Sequence, residues 1–250
     1  MSINELLVLR GVWVRGSRQA ARLQAVDLSV EAGERIALLG RSGAGKSTLL
    51  AVANGSLHPD QGSASWRGTP LAQRKPRQRQ AIATLWQDLR LVEGLSVGQN
   101  INAGALSQRS LLWALANLLG NIETEACRRC LQAAGLTGEL LDASIAQLSG
   151  GQRQRVALAR LLRQGAELIL ADEPLSSLDP VLANDVLDLL LESRAAKGVS
   201  IASTLIVSLH RPDLIHRFDR VLGLRSGRLV VDERAKNLDP QALDWLYQAE

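Results

Sequence analysis

Two stretches of this sequence hold the residue types that phosphate chemistry needs. The first is Gly40-Arg41-Ser42-Gly43-Ala44-Gly45-Lys46-Ser47, followed by Thr48. It fits the pattern G-x-x-x-x-G-K-S/T, with an apolar run before it and a helix-forming run after it, the context that gives the pattern meaning. Glycines lack a Cβ, so the backbone can bend tightly around phosphate oxygens. The loop N–H groups and the start of the following helix then face the anion. Lys46 brings a positive charge to the outer phosphates, and the Ser47 hydroxyl is a ligand for Mg²⁺. The second stretch is Leu168-Ile169-Leu170-Ala171-Asp172-Glu173, an apolar run ending in two carboxylates. A buried strand of this kind is expected to set Asp172 at its tip, beside the phosphate loop in a parallel sheet, where it can hold Mg²⁺. Glu173, one residue further on, can orient and deprotonate an attacking water.

These groups need strands and helices to position them. Strand character is expected over Leu6–Val14, Ala25–Val30, Arg35–Leu39, Ile82–Trp86, Leu168–Ala171, Thr204–Leu209, Arg220–Leu224 and Leu229–Val231. Each is a short apolar or alternating run. Helices are expected over Lys46–Asn54, Val97–Ala105, Ser110–Leu119, Glu123–Ala134, Gly150–Gln164 and Val181–Lys197. Another is expected over Asp239–Gln248, with Asp239 as cap and Pro240 at its first position. Turns are read at Glu31-Ala32-Gly33-Glu34 and Pro59-Asp60-Gln61-Gly62. The pattern is an α/β core interrupted by a helical stretch between about Asp88 and Gln164, with no internal repeat.

Composition bounds the partners. The chain has 250 residues, enough for one sizeable α/β domain with a subdomain. Aromatics are only 3%, so the core must come from Leu, Val, Ile and Ala. The net charge of +4 fits a nucleotide, nucleic-acid or anionic-membrane partner without choosing among them. Met1–Arg10 lacks the basic and apolar regions of a secretory leader, and the uncharged run Ser110–Ile122 falls short of the ~20 apolar residues of a membrane span. The chain is therefore expected in the cytoplasm, reaching a membrane only through a partner. Cys127 and Cys130 are the only cysteines. One CxxC supplies half of a four-ligand zinc site, so ordinary helix thiols are expected. The basic run Arg74-Lys75-Pro76-Arg77-Gln78-Arg79 reads as an exposed connector, with a nucleic-acid or phospholipid contact as the other reading.

Leu148-Ser149-Gly150-Gly151-Gln152 resembles the signature of ATP-binding cassette (ABC) ATPases. On its own chemistry Ser149 is a helix cap. A helix start with two glycines is also an anion site, and both roles draw on the same free N–H groups. In the family, the signature of one subunit covers the γ-phosphate held by the other. Smaller motifs follow in the family's order. Gln87 resembles the Q-loop glutamine that contacts Mg²⁺ and senses the permease. Ser176-Ser177-Leu178-Asp179 resembles the D-loop, although Asp179-Pro180 is equally a helix start. His210, ending the strand expected over Thr204–Leu209, resembles the switch histidine at the γ-phosphate. His58 and His216 have no such setting and are expected at the surface.

The resemblance runs from about Leu6 to Trp245. It implies an α/β P-loop NTPase core, with a mixed sheet, flanking helices and an N-terminal antiparallel β part, into which a helical subdomain is inserted. Residues 1–87 and 165–250 are expected to form the nucleotide-binding core, and 88–164 the helical signature subdomain. The implied cofactors are ATP and Mg²⁺. Nucleotide contacts are implied at Gly40, Arg41, Ser42, Gly43, Ala44, Gly45, Lys46, Ser47, Thr48, Gln87 and Asp172, and at Ser149, Gly150, Gly151, Gln152 and Asp179. Metal contacts fall to Ser47, Gln87 and Asp172, and catalytic roles to Glu173, His210, Lys46 and Gln87. The family's usual adenine-stacking aromatic falls near Trp13, with Arg15 closer to the usual position; an arginine plane can also stack on a base.

Among branches of the family, the transporter reading is favoured. Lys46 and Ser149 are only about 100 residues apart with no heptads between, unlike the chromosome and repair ATPases. One cassette is present, and two cysteines do not make zinc modules. Leu91–Val97 through Asn100, Ala103–Leu106, Ser110–Trp113, Ser208–Leu214 and Phe218–Arg228 are similar to the phosphonate-import subfamily. Implied partners are a second copy of the chain with ATP sandwiched between, integral permease subunits and, indirectly, an extracytoplasmic solute-binding protein, at the cytoplasmic face of the membrane. No nucleic acid is expected. The alternatives are another importer or a lipoprotein-release exporter with the same cassette, or a soluble ATPase acting on nucleic acid.

Overall fold

The structure is a computed structural model, and the described residues are 5–16, 21–176, 178–191 and 203–248. Along the chain the strands are β1 (Glu5–Arg15), β2 (Ala21–Glu31), β3 (Arg35–Leu39), β4 (Gln61–Trp66), β5 (Thr69–Pro70), β6 (Ile82–Leu85), β7 (Leu168–Ala171), β8 (Thr204–Ser208), β9 (Arg220–Arg225) and β10 (Arg228–Arg234). The helices are α1 (Lys46–Asn54), α2 (Pro76–Arg79), α3 (Val97–Ala103), α4 (Leu111–Leu119), α5 (Thr124–Ala133), α6 (Gly150–Gln164), α7 (Pro180–Leu191) and α8 (Pro240–Tyr247). The expected helix over Val181–Lys197 runs beyond the described residues after Leu191. The chain forms two compact units. One comprises residues 1–74, 170–176 and 203–250; the other comprises 75–169 and 177–202. The second unit is wider than the helical stretch expected from the sequence, because 75–87, 165–169 and 177–202 belong with it.

The first unit contains two sheets. An antiparallel one has the order β2-β1-β4-β5. The other runs β10-β9-β3-β8, with Leu170 and Ala171 of β7 on the far side of β8. Here β3 is parallel to β8 and β9, while β10 returns antiparallel. Ile36, Leu38 and Leu39 on β3 are fully buried along with Leu50, Val207 and Leu222. A strand buried on both faces reads as the continuous apolar run seen at Arg35–Leu39. Two expectations change here. Gln61 and Gly62, read as the end of a turn, begin β4 instead. Gly62 takes a positive φ against β1, where an added Cβ would lie 2.3 Å from the Gly11 carbonyl oxygen. Arg74 is also buried, because its guanidinium donates to the Asn54 carbonyl at 2.8 Å. Lys75 and Arg79 of the same basic run are exposed, and the side chain of Arg77 lies outside the described residues.

In the second unit, α3, α5 and α6 pack around Val97, Ile101, Leu131, Val156 and Leu158. β6 lies beside the stretch leading into β7, where the N–H groups of Glu167 and Leu168 donate to the Ala81 carbonyl. Cys127 and Cys130 are buried thiols on α5. Burial raises the Cys127 thiol to about 11, against the opposing pull of Arg163. The Cys127 Sγ donates to Asn102 Oδ1 at 3.1 Å. Arg163 and Trp113 both bond to Glu123, which ties α4 to α5 and α6. The opposite face of α4 is bare: Leu112 is 79% and Leu119 91% exposed. No helix among the described residues is long and apolar enough to cross a membrane.

Candidate active site

The phosphate loop joins the end of β3 to the start of α1. Its glycines are forced by geometry. Gly40 has φ 144°, and a Cβ there would sit 2.3 Å from the Leu224 carbonyl oxygen. Gly45, at φ 107°, would place a Cβ 2.5 Å from the Arg22 carbonyl oxygen. L-residues rarely adopt such φ values, so no side chain replaces either glycine without strain. Gly43 differs: its Cβ position meets nothing within 4 Å, so that side of the loop is open. α1 begins with no side-chain cap, which leaves its first N–H groups without a side-chain acceptor. Bare N–H groups beside an open glycine turn suit an anion.

Lys46 is 4% exposed, and its Nζ donates to the Gly40 carbonyl at 2.8 Å and to that of Arg41 at 3.3 Å. Burial holds the Lys46 ammonium below its ordinary pKa of 10.5, with the carboxylates of Glu173 and Asp172 opposing the shift. Nζ is 3.7 Å from Glu173 Oε1. The same carboxylate oxygen pairs with Nε2 of His210. Lys46, Asp172, Glu173 and His210 therefore lie together.

The route by which Asp172 gets there differs from expectation. β8 lies between β3 and β7, so the strand carrying Asp172 is not the neighbour of the strand carrying the phosphate loop. Ser208, at the end of β8, bridges the gap. Its hydroxyl donates to Asp172 Oδ1 at 3.1 Å and accepts from the Glu173 N–H at 3.2 Å. Ser208 is fully buried, Asp172 is 3% exposed, and Glu173 is held at φ 49°. A left-handed non-glycine residue costs energy, and the Ser208 bond at its own N–H helps hold it there. Ser208 was missed in the sequence. Its signal is a polar residue directly after the apolar run Leu205–Val207, two positions before His210.

Gln87, the signature and Asp179 lie in the second unit. Gln87 is exposed on the turn after β6. The next turn residues, Leu89 and Arg90, are both left-handed, and Arg160 of α6 pins them by donating to their two carbonyls. At the signature, Ser149 Oγ accepts from the Gln152 N–H at 3.3 Å, while Gln152 Oε1 accepts from the Ser149 N–H at 2.9 Å. This closed capping box satisfies two groups reciprocally. Gly150 is open, whereas a Cβ on Gly151 would lie 2.8 Å from Leu182 of α7. Asp179 Oδ1 accepts from the N–H groups of Val181 and Leu182 at 3.1 Å each, so Asp179 caps α7. Ser177 lies outside the described residues. In the first unit, Arg15 is exposed and its N–H donates to Asp60, and Trp13 is partly exposed. His58 and His216 are at the surface, as expected.

A phosphate loop with a buried lysine, facing a carboxylate pair and a histidine, defines a P-loop domain that hydrolyses nucleoside triphosphates. The chain belongs to the ABC transporter family, whose model matches residues 23–176. It is 42% identical over 248 residues to the phosphonates import ATP-binding protein PhnC of Anaeromyxobacter dehalogenans (strain 2CP-C), covering 97% of this chain and 48% of that protein. This chain thus spans about half the length of that relative. It is 39% identical over 230 residues to the protein of the same name from Thiobacillus denitrificans (strain ATCC 25259 / T1), covering 91% and 87%. Among solved structures it resembles the ADP conformation of MJ1267, an ATP-binding cassette of an ABC transporter, with a TM-score of 0.77 and 26% identity over 98% of this chain and 99% of that one.

Proposed function

We propose that this chain is the ATP-hydrolysing subunit of an ABC importer for phosphonates or related phosphorus oxyanions. The observation that carries the ATPase reading is the convergence of Lys46 and His210 on one carboxylate oxygen of Glu173, beside an uncapped helix start. The solute rests on the names of the relatives.

The residues fit ATP and Mg²⁺. The open side of the loop at Gly43 leaves room for phosphates, and Gly40, Arg41, Ser42, Gly43, Ala44, Gly45, Lys46, Ser47 and Thr48 supply its donors. Ser47, Asp172 and Gln87 offer the oxygen ligands that a hard cation takes. Mg²⁺ would neutralise charge on the phosphates. Lys46 holds the phosphates by its charge. Glu173 takes a proton from water and is kept in place by Lys46, His210 and Ser208. His210 then stands ready to stabilise charge at the outer phosphate.

Each chain supplies only half of the site. Ser149–Gln152 and Asp179 of a second copy close on the nucleotide, so ATP joins two chains and hydrolysis lets them part. The chain works at the cytoplasmic face of the membrane on permease subunits, fed by an extracytoplasmic solute-binding protein. The bare leucine face of α4, held rigid by Arg163, Trp113 and Glu123, supports an apolar protein partner.

Reconstitution with its permease and solute-binding protein in liposomes tests this reading. ATP turnover is expected to rise on adding a phosphonate. Turnover raised by DNA or RNA, with no membrane partner, would overturn it.

A further inference from the structure

The C-terminal helix reaches the back of the phosphate loop. We propose that α8 is a strut that holds the loop in its nucleotide-binding shape, with Trp245 and Tyr247 as positioning residues. The inference rests on the ATPase reading above.

Its contacts all lie within the first unit. Arg41 in the loop donates to the Gln248 carbonyl at 3.3 Å. The guanidinium of Arg225 stacks 4.4 Å from the Trp245 ring centroid and bonds the Trp245 carbonyl. Arg225 ends β9, and two residues later the Gly227 N–H donates to the Ala44 carbonyl in the loop at 3.0 Å. The Tyr247 hydroxyl lies near the Gly40 backbone, closed off from solvent and making no hydrogen bond among the described residues, and burial raises the phenol above its ordinary value of 10.0. Leu246 anchors the helix: it is 1% exposed, and an added Cβ on Gly223 would lie 3.2 Å from it. Arg41, Ser42, Ala44, Leu224, Leu246 and Gln248 line an open pocket of about 200 Å³ at the loop.

The physical reason for a strut lies in the loop itself. A glycine-rich segment has much conformational freedom to lose when it closes on a ligand. Ordering it beforehand lowers that cost and raises affinity without any new ligand contact. Trp245 and Tyr247 are distant in sequence from every phosphate-binding motif, so the motifs alone do not predict a role for them.

The test compares the full chain with Trp245→Ala, Trp245→Phe and Tyr247→Phe, measuring the Kd of a fluorescent ATP analogue, the ATP KM and kcat, and Tm. Trp245→Ala is expected to weaken nucleotide binding and raise KM about three- to tenfold, with kcat within about twofold and Tm nearly unchanged. Trp245→Phe keeps an aromatic face for Arg225 and is expected to restore most of the affinity. Tyr247→Phe tests the hydroxyl alone and is expected to have the smaller effect. Wild-type Kd and KM in Trp245→Ala would overturn the strut and leave the ATPase reading intact, as would a KM loss that merely follows a fall in Tm. A wild-type chain that binds no nucleotide would overturn both.

Discussion

Two helix starts in this protein are built in opposite ways. α1 begins at Gly45, a left-handed glycine with no side-chain cap. α6 begins at Ser149 inside a closed capping box with Gln152. Both follow glycine-containing motifs, and both have N–H groups at the positive end of a helix. The first waits for a ligand: its donors are bare, and a buried lysine and two carboxylates stand beside it. The second is finished by its own side chains, with Gly150 leaving its outer face open. Under the proposed function the phosphate loop is the receiving half of a site. The signature is a stable surface that can be presented to a ligand held elsewhere.

Each half can be broken separately. The largest effect is expected from Glu173→Gln, which keeps size and polarity but removes the base. Hydrolysis should fall about 10²–10⁴-fold while ATP binding stays near wild type. Steady-state turnover alongside nucleotide titration checks this, and near-normal turnover would take Glu173 out of its role. Gly45→Ala comes next. It sets a Cβ 2.5 Å from the Arg22 carbonyl at a φ of 107°, so it should cost about 1–3 kcal/mol of stability and abolish nucleotide binding. Ser149→Ala opens the capping box, and chemical denaturation should show a loss of about 1 kcal/mol with nucleotide affinity of the single chain unchanged. No equivalent substitution exists at α1, because it has no cap to lose.

The smallest effect concerns pH. Burial lowers the Lys46 pKa below 10.5. The folded chain therefore gives up this proton at a lower pH than the unfolded chain. Only the charged form attracts phosphate, so affinity should be full near neutral pH and decline on the alkaline side before 10.5. Fluorescent-nucleotide titrations at rising pH would show it. A flat profile up to pH 10.5 would mean that the ammonium is not the group that binds.

The contrast between the two helix starts was partly written in the sequence. Gly40–Ser47 and Ser149–Gln152 were legible because each is a local motif whose geometry follows from glycines and one polar side chain. The helices Lys46–Asn54 and Gly150–Gln164 and the strands Arg35–Leu39 and Leu168–Ala171 were legible to the residue, since capping glycines, serines and short apolar runs mark their ends. What was missed depends on distant residues. β4 was hidden because Gln61-Gly62-Ser63-Ala64-Ser65-Trp66 has small polar residues and follows a turn signal, and it becomes a strand only by pairing with β1. Arg74 looked like part of a solvated run until Asn54, twenty residues away, offered it a carbonyl. Ser208 matters only because β8 separates β3 from β7, a strand order that no local pattern states.

The central claim is that one chain's phosphate loop becomes competent only under another chain's signature. Sedimentation of the Glu173→Gln chain with and without ATP and Mg²⁺ tests it most directly, since this variant should hold ATP without hydrolysing it. A single-chain particle is expected without nucleotide and a two-chain particle with it, with a return to single chains when Ser149→Arg is added. A particle that stays single while ATP is bound would rule out a site shared between two chains.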